Sequence, residues 1–149
     1  MENKNYHQRL KALHLYSLER RRERYMIINA WEQIEGKREN ILNLRTRQIG
    51  RYRKITLDVI PWSINGRKLR KSTRTQIHNS TTSKMSRLFN ILPANLANME
   101  GVSTDTFKHH LDKWLLMVPD EPRIDNYSQM VEKESNSLLH QVATRPAAW

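Results

Sequence analysis

The chain has 149 residues, a formal net charge of +11 at pH 7 and no cysteine, so it has the length of one domain while disulfide, Cys-zinc and thiol chemistry are excluded. Hydrophobic residues supply only 38%, below the usual level for globular domains, which predicts a mainly α chain of loosely packed helices. No apolar run approaches the ~20 residues of a membrane span and the first residues lack the apolar stretch of a signal peptide, so a soluble, intracellular protein without a membrane partner, in the nucleus or cytoplasm, is expected.

The positive charge is unevenly placed. Residues 37–74 hold 12 Lys/Arg against 2 Asp/Glu, whereas residues 1–36 hold 7 against 5 and residues 75–149 hold 7 against 8. A concentrated positive field attracts polyanions and speeds their encounter. Three segments and a tail follow: an N-terminal helical part (1–36), a basic connector (37–82), a C-terminal helical part (83–142) and residues 143–149.

Along the chain, Tyr6, Leu10 and Leu13 at i, i+4 and i+7 predict a short helix with one apolar stripe. Ser17 caps a second helix running to about residue 35, with Gly36 as its stop. Its first turns, residues 19–24, are charged all round and read as a solvated face in which Glu19 and Glu23 meet Arg20, Arg21, Arg22 and Arg24. Further on, Met26, Ile27, Ile28, Ala30, Trp31 and Ile34 cover most of the circumference and demand several neighbours. In the connector, Ile55, Leu57 and Val59 alternate with Thr56 and Asp58 as a half-buried strand that Pro61 ends. Asn65-Gly66 is a type I′ turn signal, so one short β-hairpin is expected between about residues 55 and 70.

From Ser83 the pattern is helical again. Met85, Leu88, Phe89 and Leu92 lie at i, i+3, i+4 and i+7 before Pro93, and Leu96 and Met99 add a short turn before Gly101. Ser103 caps a helix whose apolar face is Phe107, Leu111, Trp114, Leu115 and Val118, with Asp105 at the positive end of its dipole. Asp120-Glu121-Pro122-Arg123 reads as an exposed linker. A last, weaker helix is expected over about residues 127–142, carrying Met130, Val131, Leu138, Leu139 and Val142.

Three blocks in this order carry a resemblance. They are Arg9-Leu10 through Leu13, Leu15, Ser17-Leu18-Glu19, Arg21-Arg22 and Arg24; then Leu88-Phe89-Asn90-Ile91-Leu92-Pro93 with Val102, Phe107-Lys108, Leu111-Asp112-Lys113-Trp114-Leu115 and Pro119-Asp120-Glu121-Pro122; and finally Glu134 through Gln141. The pattern resembles the region downstream of the reverse-transcriptase core in non-LTR retrotransposons, jockey-like and related elements. It departs from that family at Phe89, where tryptophan is frequent, and at Tyr25-Met26, where a Gly-Asp pair is common. The resemblance implies the non-catalytic C-terminal part of an RNA-directed DNA polymerase, whose partners are RNA or DNA and the remainder of the parent polymerase.

The chemistry of the residues agrees with a non-enzyme. A two-metal polymerase needs adjacent carboxylates, supplied in reverse transcriptases by an Asp-Asp pair, and the chain has none. Adjacent His109 and His110 diverge by about 100° on a helix and neither has a second histidine at i+4. No metal and no cofactor is expected. Candidate nucleic-acid contacts are Arg45, Arg47, Arg51, Tyr52, Arg53 and Lys54 in one cluster and Arg67, Lys68, Arg70, Lys71 and Arg74 in a second. The cations suit phosphates, and Tyr52 or Trp62 suits stacking on an unpaired base; no groove-entering motif suggests sequence-specific readout. Two other readings stay open: a scaffold segment whose apolar helices dock on the parent polymerase, and a decayed element copy without function.

Overall fold

The computed structural model describes residues 3–40, 44, 46–47, 54–57, 63–64, 67–68, 70, 76, 80–121 and 136–143. Its helices are α1 (Tyr6–Ala12), α2 (Leu18–Ile34), α3 (Thr81–Asn90), α4 (Ala94–Ala97), α5 (Thr104–Leu115) and α6 (Leu138–Ala143). Between α2 and α3 lie the two-residue strands β1 (Thr46–Arg47), β2 (Thr56–Leu57), β3 (Ser63–Ile64) and β4 (Arg67–Lys68). The fold is mainly α.

Short polar side chains start the helices. Asn5, Ser17, Ser80 and Ser103 accept the N–H of Gln8, Arg20, Ser83 and Thr106 at the heads of α1, α2, α3 and α5. Each satisfies a backbone donor that the helix itself leaves unpaired, worth about 1 kcal/mol. α3 thus begins at Thr81, two residues before the expected start, because Ser80 and not a later residue caps it. Pro93 follows its end and opens α4 in extended conformation.

α2 packs against α3 and α5, α3 packs on β2 and α6, and α4 packs on α5. The expected stripe of α3 is the buried one: Met85, Leu88, Phe89 and Leu92 are each 1% exposed or less. On α5, Phe107, Leu111, Trp114 and Leu115 face inward, with Val118 just beyond. Trp31 and Phe107 stack at 4.3 Å between ring centroids and 4° between planes. The indole Nε1 of Trp31 donates to the carbonyl of Met99 at 2.9 Å, so the ring enters the core without orphaning its polar nitrogen. The loose packing expected from composition is not confirmed. One cluster of buried apolar side chains runs from Ile27 through Leu44, Leu57 and Phe89 to Leu138, drawing on all three segments.

Other expectations change. In α1 and its C-cap, Tyr6 and Leu13 are half exposed, and His7 is the residue turned inward. Tyr6 stays at the rim because its hydroxyl oxygen accepts the N–H of Leu18 at 3.3 Å. The strand at Thr56–Leu57 pairs with the upstream β1, in the register Thr46↔Leu57 and Arg47↔Thr56, and not with the segment after the turn. β3 and β4 form the hairpin, with Ser63↔Lys68 and Ile64↔Arg67 bracketing Asn65-Gly66; those two turn residues, like Asp58, Val59 and Pro61, lie outside the described residues. α6 begins only at Leu138, and Tyr127, Met130 and Val131 of the expected longer helix also lie outside them.

Candidate nucleic-acid interface

The basic segment meets the helical body at residues 54–57. Leu57 is 2% exposed and belongs to the core. The side-chain amide of Asn90, at the last residue of α3, accepts the N–H of Leu57 at 2.7 Å and donates to its carbonyl at 2.9 Å. An asparagine amide carries the same donor and acceptor as a peptide group, so Asn90 acts as a one-residue neighbour along β2. Asn98, after α4, accepts the N–H of Ile55 at 2.6 Å. The ammonium of Lys54 donates to the main-chain carbonyl of Asn90, placing a cation at the negative end of the α3 dipole. Burial lowers the pKa of Lys54 below its ordinary value. Upstream, the Asn40 side chain holds Leu44 in the same two-point way, at 2.8 and 2.9 Å.

Of the candidate contacts, Lys54 is therefore half-buried and engaged with the end of α3. Arg70 is exposed. Arg47 stands on β1, and Arg67 and Lys68 stand on β4. Arg45, Arg51, Tyr52, Arg53, Lys71 and Arg74, with Trp62, lie outside the described residues.

A second polar cluster was not anticipated. Residues 19–24 do not form one solvated face: Arg20 is 0% and Glu23 2% exposed. Arg20 donates from Nη1 to the carbonyl of Val118 at 3.2 Å and from Nη2 to that of Pro119 at 2.7 Å, just past the end of α5. Glu23 accepts the Ser137 hydroxyl at 2.8 Å and the N–H of Leu138 at 3.0 Å, at the start of α6. Thus a cation lies near the carbonyl end of one helix and an anion at the amide end of another, as the helix dipoles favour. Burial raises the Glu23 pKa against the opposing hydrogen bonds from Leu138 and Ser137, and it lowers the Arg20 pKa against the nearby charges of Asp120 and Glu23. The signal was present in the spacing: Arg20 and Glu23 extend the inward stripe of Ile27, Ala30 and Trp31 toward the N-terminus, and only their charge argued for solvent.

Asp120, expected in an exposed linker, closes the cluster. Its carboxylate accepts the N–H and the hydroxyl of Ser17 at 2.6 and 2.7 Å and the Asn136 amide at 2.6 Å. Arg24 makes a two-point ion pair with Asp112, Nε to Oδ1 at 2.8 Å and Nη2 to Oδ2 at 3.1 Å, and the Tyr16 hydroxyl donates to the same Oδ1 at 3.2 Å. An open cleft of about 430 Å³ beside Glu23 is lined by Tyr6, His7, Arg22, Met26 and Lys84 among others; its charge is mixed. Among the described residues, no three His, Cys, Asp or Glu side chains are grouped to hold a metal ion, and His109 and His110 are both exposed. No helix among the described residues is long and apolar enough to cross a membrane.

No protein-family model, no curated protein and no solved structure matches the chain.

Proposed function

We propose that the chain is a non-catalytic, C-terminal part of a non-LTR retrotransposon reverse transcriptase, and that its central segment binds RNA or DNA without sequence preference. The observation that carries the binding role is the charge of residues 37–74, with 12 Lys/Arg against 2 Asp/Glu. The ancestry is supported by how the blocks that resemble the family meet one another. Arg24 of the first block pairs with Asp112 of the second, Ser17 of the first with Asp120 of the second, and Glu23 of the first with Ser137 of the last. Blocks far apart in sequence that fold into one unit have a physical reason to occur together and in order.

Fluorescence anisotropy with labelled single-stranded RNA and DNA, titrated with salt, tests the binding role. Affinity should fall steeply and linearly on a log–log plot, by about 0.7 per neutralised phosphate on a single strand. Replacing Arg67, Lys68, Arg70 and Lys71 together with alanine should lower that slope by about 3. A slope unchanged by the four substitutions overturns the assignment.

Docking on the rest of a parent polymerase is a second reading, favoured by Leu116 at 78% and Met117 at 54% exposure. The apolar faces of α2 and α5 are buried in the core, where Trp31 stacks on Phe107, which leaves these two exposed residues as the docking surface. Leu116→Ser with Met117→Ser should then abolish association with the upstream part of the polymerase while leaving the salt-dependent binding of RNA intact.

A further inference from the structure

We propose that Leu13 and Leu15, in the turn after α1, join Leu116 and Met117 in one docking surface, and that its partner is an acidic amphipathic protein segment. The inference rests on the docking reading above and not on the binding of RNA. It adds to that reading the second half of the surface and the chemistry of what covers it.

Polar bonds hold the two stretches side by side. The Tyr16 hydroxyl donates to Asp112 at 3.2 Å, and Ser17 donates to Asp120 from its N–H and its hydroxyl at 2.6 and 2.7 Å. Leu116 stands midway between those two acids in the sequence, so the turn between α1 and α2 runs alongside it. Arg20 fastens the same place through the carbonyls of Val118 and Pro119. Leu13, Leu15, Leu116 and Met117 are all exposed at this end of the molecule. A single exposed leucine is ordinary, whereas several gathered at one place mark an interaction surface.

Charge decides the partner. The nearest acids are already taken, Asp112 by Arg24 and Tyr16 and Asp120 by Ser17 and Asn136. Lys11 and Lys113 are exposed and have no carboxylate within ion-pair distance among the described residues. The exposed Arg21 is tied through Nε to the carbonyl of Tyr16. Against these three cations stands the exposed Glu121. Such a rim favours Asp and Glu on a partner and disfavours Lys and Arg, while the aliphatic centre calls for apolar side chains. A helix with leucines on one face and carboxylates beside them offers both. A nucleic acid would satisfy the cations and leave the leucines uncovered. A membrane surface is entered by one apolar face along a single helix, whereas these residues come from a turn and a helix end.

The test uses the full chain and a labelled synthetic peptide of about 18 residues, or five helical turns, read by fluorescence anisotropy. Leucines occupy one face of its helix and glutamates flank them; a second peptide carries lysine at every glutamate position. The glutamate peptide should bind, and the lysine peptide should bind about tenfold more weakly or worse. Leu13→Ser with Leu15→Ser should weaken the glutamate peptide about tenfold, as should Leu116→Ser with Met117→Ser. Lys11→Glu with Lys113→Glu should reverse the preference between the peptides. All of these positions are exposed, and circular dichroism checks that each variant keeps its helices. Equal binding of both peptides, or binding of neither, overturns the acidic partner. Full binding by Leu13→Ser with Leu15→Ser removes the turn from the surface. Vesicles of phosphatidylserine and phosphatidylcholine that bind the chain when the peptides do not would assign the leucines to a membrane and overturn the proposal as well. Association with the upstream part of the polymerase is read separately: if it survives Leu116→Ser with Met117→Ser, the docking reading itself falls. If it is lost there while neither peptide binds, only the acidic partner falls.

Discussion

The carboxylate of Glu23 caps the start of α6, accepting the N–H of Leu138 at 3.0 Å from a position 2% exposed to solvent. The last described helix is thus fastened to α2 by a buried acid whose pKa burial raises above 4.5. A raised pKa means that the native state holds the proton more tightly than the unfolded chain. The associated stability is then fully present below about pH 4.5 and is lost as pH rises through the native value. Glu23→Gln keeps an acceptor for Leu138 and cannot ionise. Urea unfolding at about pH 4 and about pH 8 should show the stability of wild type falling relative to Glu23→Gln as pH rises. A difference that stays constant across that range would mean that Glu23 titrates as an ordinary solvated acid.

Arg24 and Asp112 should be coupled more strongly than a surface pair. The pair is two-pointed, and the side chains are only 19% and 37% exposed. Exposed pairs contribute about 0–1 kcal/mol, and two-point, partly desolvated ones exceed this. A double-mutant cycle with Arg24→Ala and Asp112→Ala should return a coupling of about 1–2 kcal/mol. A value near zero would place the pair among solvated contacts, and α2 would then owe its seat on α5 to the apolar face and to the Arg20 bonds just past the end of α5.

The Tyr16 hydroxyl should titrate late. Its pKa is pushed from 10.0 to about 12, first by burial, then by the charge and hydrogen bond of Asp112, against the opposing charges of Arg24 and Arg20. The contribution to stability is present below about pH 10 and is lost as pH rises through about 12. Ultraviolet difference titration of wild type against Tyr16→Phe isolates this phenol from the other tyrosines. The difference curve should have its midpoint near 12, and Tyr16→Phe should cost about 1 kcal/mol at neutral pH. A midpoint near 10 would show that the phenol is solvated and free of Asp112.

These contacts mark where the sequence was legible and where it was not. The apolar stripes of α3 and α5 were readable because Leu88, Phe89, Phe107 and Leu111 recur at helical spacing, and burial follows residue type there. Ser17 and Ser103 mark helix starts by a local mechanism that needs no tertiary knowledge, whereas Ser80, the cap of α3, was not singled out. Arg20 and Glu23 were misread because a charge normally signals solvent, and their burial depends on partners about a hundred residues away. β2 is legible as a strand, yet its partner is not, since β1 spans only Thr46–Arg47 and two residues carry no alternation to mark them. The basic segment was visible as composition alone; its attachment to α3 and α4 is a property of the fold.

The two helix ends at His14 and Gly36 should respond to substitution with opposite signs. Both close the helix with the same pair of bonds: Leu15 to Leu10 and His14 to Lys11 after α1, and Lys37 to Glu32 and Gly36 to Gln33 after α2. Each geometry requires a left-handed residue, with φ of 56° at His14 and 75° at Gly36. Glycine adopts that conformation without strain, whereas a residue with a Cβ loses roughly 1–2 kcal/mol. His14→Gly should therefore stabilise the chain, by about 0.5 kcal/mol after the greater freedom of glycine in the unfolded state is subtracted. Gly36→Ala should destabilise it by about 1 kcal/mol. The added methyl would meet nothing within 4 Å, so any loss there measures backbone strain and not a clash. Urea unfolding of the two variants beside wild type reads both signs. If Gly36→Ala proved neutral, the end of α2 would have to relax out of the left-handed geometry at little cost, and the bond from Lys37 to Glu32 should then be lost from hydrogen-exchange protection.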